Sequence, residues 1–193
     1  MAQPRQPKSP QIATIASAHA APAQRPGVPV AQSGWFEPEP APVREERDRL
    51  RDISDLLGGR KVVGKYPEDP LAAHEMLERG LPNPAVKHLL DGMTTLSQKS
   101  IEGALGMSER TRQRREKHPT ELLSQDQAGR TWKFAEVLAR AISVFGSRTA
   151  AEQWLAQPAT GLEQRRPIDL LTTPVGVELV EDFLGRIEYG VYT

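Results

Sequence analysis

Within "SERTRQRREK" the chain sets Arg110, Arg112, Arg114, Arg115 and Lys117 against only Glu109 and Glu116. The whole protein carries 25 Lys and Arg, 25 Asp and Glu and a formal charge of zero, so this cationic run is a local accumulation. Concentrated positive charge on a helix suits a polyanion: guanidinium groups bond guanine edges or phosphate oxygens, and ammonium groups pair with phosphates. Ser108 opens the run, Gly106-Met107 precedes it, and "SQKSIEGAL" lies before that break. Two short helices joined by such a tight turn are the parts of a helix-turn-helix, whose second helix presents its first residues to the major groove. Glycine at 106 takes a left-handed conformation at little cost, and Met107 can plug the turn from beneath.

At 100° per residue the five cations cannot all enter one groove, which predicts a division of labour. Glu109, Arg110, Arg112 and Gln113, just past Ser108, are the candidates for base edges; Arg114, Arg115 and Lys117 are the candidates for phosphates. The same run also suits the solvated face of an ordinary helical domain, and charge alone does not separate DNA from RNA. No aromatic platform adjoins it, which argues against single-strand stacking.

A second locus lies at the other end. After Pro167, Asp169, Glu178, Glu181, Asp182 and Glu188 face only Arg186, and the chain closes on "RIEYGVYT". An acidic, tyrosine-bearing end is a poor match to DNA and a good match to a protein surface. Its candidate contacts are Arg186, Glu188, Tyr189, Gly190, Val191 and Tyr192; docking of the same tyrosines on the chain's own core is the competing reading.

Catalytic chemistry has little to build on. There is no cysteine and no glycine-rich phosphate loop, and His19, His74, His88 and His118 fall at no metal-ligand spacing. The expectation is a non-enzyme without cofactor or metal. No apolar run approaches the ~20 residues that span a bilayer, and the first residues do not read as a secretion signal, so a cytoplasmic protein is expected.

The elements that must position these residues read as all-α. Residues 1–42 hold nine of the seventeen prolines and no sustained periodicity, the signature of a disordered arm, interrupted only by Trp35 and Phe36, a candidate peptide anchor or an isolated surface aromatic pair. From Val43 the spacing of Leu50, Ile53 and Leu57 predicts an amphipathic helix ending at Gly58-Gly59. Asp69-Pro70 and Asn83-Pro84 each predict a capped, proline-started helix, and Ser97 a third, with Gly80, Gly92 and Gly106 as their stops. In "GRTWKFAEVLARAISVFG" the stripe Trp132, Ala135, Leu138, Ile142 and Phe145 predicts a long helix ended by Gly146. A short helix with Trp154 and Leu155 turned inward follows, then "PVGVELVEDFLGRIEYG" with Val177, Val180, Leu184 and Ile187. The expected division is an arm at 1–42, a helical DNA-binding domain at 43–124 with its helix-turn-helix at 97–117, and a small helical domain at 125–193.

These motifs together resemble the Xre/MbcA/ParS family of antitoxins. The resemblance rests on Phe145-Gly146, Ala151 with Trp154-Leu155, Pro167 with Leu170, Leu171, Thr173 and Gly176, and Arg186-Ile187 with Gly190, in the family's order, behind "LSQKSIEGALGMSERTRQRREK". It implies an Xre-like helix-turn-helix domain followed by a toxin-binding domain. It further implies a type II partner toxin with a RES domain that depletes NAD, whose pocket the antitoxin occludes without binding NAD itself. Operator double-stranded DNA, a homodimer and a larger toxin–antitoxin assembly complete the expected partners. The alternative is a stand-alone helix-turn-helix regulator that uses its acidic end to oligomerise.

Overall fold

In the computed structural model the described residues run from Val43 to Gly190; the proline-rich arm with Trp35 and Phe36, and Val191, Tyr192 and Thr193, lie outside them. Among the described residues the only β-pairings are two isolated bridges, Pro82 with Leu122 and Ala159 with Arg165, and the architecture is all-α as expected. The helices are α1 (Val43–Leu56), α2 (Gly59–Val62), α3 (Pro70–Arg79), α4 (Pro84–Asp91), α5 (Gln98–Ala104), α6 (Glu109–Glu116), α7 (Gln125–Phe145), α8 (Arg148–Ala156), α9 (Pro167–Leu170) and α10 (Pro174–Glu188), with a 3-10 turn at Thr160–Leu162. None of them is long and apolar enough to cross a membrane.

Most helix starts obey their sequence signals. The Asp69 carboxylate accepts the Ala72 amide at 2.8 Å, and Ser97, Ser108, Ser147 and Thr173 accept from the amides three residues on. Asn83 does not cap. Its backbone is already helical and its side chain turns away toward the end of α6, a tertiary attraction that overrides the local one. Gly92 stops α4 as expected, at φ −79° rather than in the left-handed region, and the space a side chain would need is filled by the Arg148 guanidinium. The first helix stops at Gly58 as expected, yet Gly58 and Gly59, both at positive φ, turn the chain straight into the extra turn α2.

The core is organised around α7, which packs against α1 and α3 as well as α8 and α10. It starts at Gln125, about two turns before the apolar stripe begins at Trp132, and runs through Gly129. Trp132, Ala135 and Leu138 are buried as predicted, and so are Phe134, Val137 and Ala141 beside them, because neighbours cover more than one face. Burying an apolar side chain of this size contributes about 1.5–3 kcal/mol, so a helix covered on several faces is the anchor of the fold. Leu50, Ile53 and Leu57 of α1 and Val177, Val180 and Leu184 of α10 complete the same core. Phe145, Trp154 and Phe183 stack in sequence over its rim, with ring centroids 5.3 and 6.1 Å apart.

Two polar devices tie the residues ahead of α5 and α7 to this core. Leu123 donates to the Leu81 carbonyl at 2.7 Å and Asn83 to the Glu121 carbonyl at 3.0 Å, strapping the start of α4 to the segment before α7. The carboxylate of Glu152 on α8, fully buried, accepts the amides of Thr94, Thr95 and Leu96 at 2.8, 2.6 and 3.4 Å and so fixes the approach to α5.

Candidate functional site

The turn between α5 and α6 closes as a Schellman motif: Met107 donates to the Glu102 carbonyl at 2.8 Å and Gly106 to the Gly103 carbonyl at 3.0 Å. Gly106 sits at φ 62° and Met107 is buried beneath it, as the sequence indicates. Ser108 then starts α6, its hydroxyl accepting from Thr111 at 3.2 Å, with Glu109 in the first turn where the helix dipole favours an anion.

Helix α6 has no apolar side chain and buries no residue outright, so hydrophobic packing does not hold it to the body. Two arginines do. Arg112, its side chain 13% exposed, donates through Nε to Glu102 on α5 at 2.8 Å and pairs along its own helix with Glu116. The Glu102 bond is the main cause that raises the Arg112 guanidinium above its ordinary pKa, against the opposing effect of burial. Arg115 reaches Asn83 Oδ1 at 2.9 Å and the Gln127 side chain on α7, while Asn83 Nδ2 donates to the His118 carbonyl at 2.7 Å. Burial lowers the Arg115 guanidinium, and the neighbouring Arg114 charge adds to the effect. Arg112 was expected at base edges and Arg115 at phosphates. Both face the body, because a helix without apolar groups needs charged struts to dock.

The docking selects what remains outside. Arg110, Gln113, Arg114 and Lys117 are all exposed and stand at i, i+3, i+4 and i+7, one continuous stripe along α6. Glu109 borders it and accepts from Gln113 at 3.0 Å. Sequence spacing alone left five cations competing for a groove; Glu102, Asn83 and Gln127, none of them adjacent in sequence to the pairs they make, decide which three stay on the surface.

At the acidic end the structure is less concentrated. Tyr189 is 79% exposed, Arg186 is exposed, and Gly190 sits at φ 68° just past the helix. Glu188 pairs with Arg140 of α7 at 3.2 Å, and the same arginine donates to the Glu181 carbonyl at 3.2 Å. Lys133 bridges Glu136 and Glu181 at 3.0 and 2.8 Å; burial pulls its ammonium down, but the two carboxylates outweigh it and the group titrates above its usual range. Part of the acidity read in the sequence is therefore matched internally, and Val191 and Tyr192 lie outside the described residues.

Val175 and Leu179, which the sequence reading missed, are 66% and 47% exposed on α10. Their signal is an i, i+4 apolar pair out of phase with the buried Val177, Val180 and Leu184. Beside them, Phe134, Leu171 and Val177 line a groove of about 670 Å³ between α7 and α10, rimmed by Arg130, Lys133 and Glu181. Among the described residues no group of three acidic or histidine side chains could hold a metal ion.

Residues 72–136, which contain α5, the turn and α6, match the family model described as the antitoxin Xre-like helix-turn-helix domain. Residues 140–190 match the antitoxin Xre/MbcA/ParS C-terminal toxin-binding domain. The chain is similar to antitoxin Xre of Yersinia enterocolitica, with 33% identity over 91 residues, 47% of this chain and 61% of that protein. It is 34% identical over 67 residues to antitoxin Xre of Photorhabdus laumondii and over 68 residues to that of Pseudomonas putida, 34% and 35% of this chain. The matches span 61%, 45% and 43% of the lengths of these curated relatives. With both family models matched in order and these relatives sharing the same name, the chain belongs to the Xre family of antitoxins.

Proposed function

We propose that this chain is the antitoxin of a type II toxin–antitoxin pair, with residues 43–124 binding operator DNA and residues 125–193 binding the toxin. The observation that carries the reading is the α6 stripe. Arg110, Gln113, Arg114 and Lys117 are exposed on the second helix of a tight-turn pair, within the segment that matches a helix-turn-helix domain. Arg110 and Gln113, near the start of α6, read base edges; Arg114 and Lys117, farther along, contact phosphates. One short recognition helix covers few base pairs, so a two-fold dimer on an inverted repeat supplies the rest.

The toxin in this reading is a RES-domain enzyme that depletes NAD, and the acidic end of α10 together with Tyr189 and the residues after it covers its substrate pocket. Support comes from the match of residues 140–190 to a toxin-binding domain and from the exposure of Tyr189 and Arg186. Co-expression of the chain with the product of the adjoining gene tests it. Growth and cellular NAD are restored when residues 129–193 are present, and removal of Gly190 to Thr193 weakens neutralisation. Full neutralisation by the truncated chain overturns the blocking role of the tail; operator binding with no neutralised neighbour overturns the antitoxin pairing in favour of a stand-alone regulator.

A further inference from the structure

The corner between α1 and α2, which precedes both matched regions, forms an open basic concavity that His88 of the matched helix-turn-helix segment helps to wall. Its walls are Arg51, Arg60, Lys61, Tyr66 and His88 around the Gly58-Gly59 turn. Arg60 and Lys61 are exposed, and among the described residues neither has a carboxylate at ion-pair distance. The only acid lining the concavity is Asp55, which is engaged by the Tyr66 hydroxyl and lies 3.9 Å from Arg51. Two guanidiniums lie over the Tyr66 ring, Arg60 at 5.2 Å and Arg51 at 5.8 Å from its centroid, so cation–π attraction pre-orders them. The two glycines are required here. They sit at φ 100° and 58°, and a side chain at Gly58 would collide with Val62 and His88.

Helix α4 connects this corner to α6. Lys87 shares the wall of a small cavity with Arg112 and Glu116 of α6, and the next residue, His88, lines the basic concavity. Consecutive residues of a helix point about 100° apart, so α4 sets the patch and the docked face of α6 on adjoining flanks of one helix, which is about 10–12 Å wide with its side chains. A major groove is about 12 Å wide, so a helix lying in it brings groups one helix width away onto the bordering phosphates.

We propose that the α1–α2 corner is a second phosphate-binding surface for the same duplex that α6 reads, with Arg60 and Lys61 as its contacting cations and Arg51 and Tyr66 as their support. It rests on the DNA-binding reading above and extends the footprint beyond the helix-turn-helix. Each phosphate neutralised on a duplex contributes about 0.9 to the slope of log affinity against log salt concentration.

The test uses the full chain, a duplex carrying the region upstream of its own gene and a random duplex of equal length. Arg60→Ala/Lys61→Ala lowers the salt slope on both duplexes by about 1.8, leaves the preference for the upstream duplex within a factor of about two and shortens the protected flank in footprinting. Arg60→Lys/Lys61→Arg retains the slope. Both substitutions lie on the surface, so an unchanged thermal transition accompanies them. A wild-type salt slope and footprint in the alanine variant overturn the proposal; so does a variant that binds DNA normally but has lost affinity for the partner toxin, which assigns the patch to protein. Failure of the wild-type chain to bind either duplex sinks the DNA reading itself, a result distinct from failure of the patch.

Discussion

Arg112 and Glu152 show how single charged side chains place this molecule's surfaces. Arg112 links α6 to Glu102 with both side chains nearly out of solvent. Replacing it with alanine leaves the Glu102 carboxylate without its partner and costs about 1.5–3 kcal/mol, the range for hydrogen bonds to charged groups. Amide exchange across 109–116 then accelerates ahead of the core, and on the DNA-binding reading operator preference falls because the exposed stripe loses its support; unchanged exchange in that segment contradicts the strut. Glu152→Ala is harsher. Three amides at 94–96 lose their acceptor and the Arg148 guanidinium loses the carboxylate it pairs with at 3.5 Å, around a buried position, which costs about 3–5 kcal/mol. A thermal melt that drops by less than about 6 °C argues against it. Asp52 illustrates the opposite sign: burial, then Asp55 and Asp48, raise its carboxyl pKa, so the folded state prefers it protonated. Asp52→Asn therefore raises the melting temperature slightly near neutral pH. That gain disappears as the pH falls below the ordinary carboxylate range, about 4, where folded and unfolded chains are both protonated.

Among the elements, α6 and α10 sit at opposite ends of a scale of attachment. Helix α6 docks by ion pairs and a plugged turn, which keeps its outer stripe wholly polar. Helix α10 docks by an apolar face, and its entry is fixed by close packing on α9. A side-chain carbon at Gly176 would stand 2.0 Å from the Leu170 carbonyl oxygen, while the Gly176 amide donates to the Thr173 cap at 3.1 Å. Gly176→Ala must push α9 and α10 apart, so it lowers stability by about 1–3 kcal/mol, the usual cost of overpacking. On the antitoxin reading it also weakens toxin binding more than DNA binding, and equal loss of both activities speaks against separate duties for the two helices. That α10 exists, and that Pro174 starts it, is legible in the proline and the spacing of Val177, Val180 and Leu184; the Thr173 cap is a finding of the structure. The turns α2 and α9 were not legible, because four residues carry too little periodicity to stand out from a loop.

For the described residues taken together, α7 is the shared asset. Residues 43–124 bury Leu50, Ile53, Ala73, Leu81 and Leu123 in a core that α7 completes. A fragment ending at residue 124 accordingly lacks a closed core and gives poorly dispersed amide resonances, whereas residues 43–190 unfold in one cooperative transition. Sharp, native-like resonances from the short fragment refute this. The Arg148–Glu152 grip on residues 92–96 works in the same sense, tying α8 to the approach of the helix-turn-helix.

By itself the sequence determined the helical character, most helix starts and stops, the Gly106-Met107 turn and the presence of a cationic second helix. Those depend on local spacing, caps and backbone freedom, which neighbours along the chain specify. Only the tertiary structure decided which arginines remain available, that Asn83 cross-links instead of capping, and that Arg60 and Lys61 join Tyr66 and His88 in one concavity. Those outcomes depend on partners outside the local turn, from 10 residues between Arg112 and Glu102 to 35 between Asn83 and His118, whose distance and burial fix whether a charge is matched within the fold or left to meet another molecule.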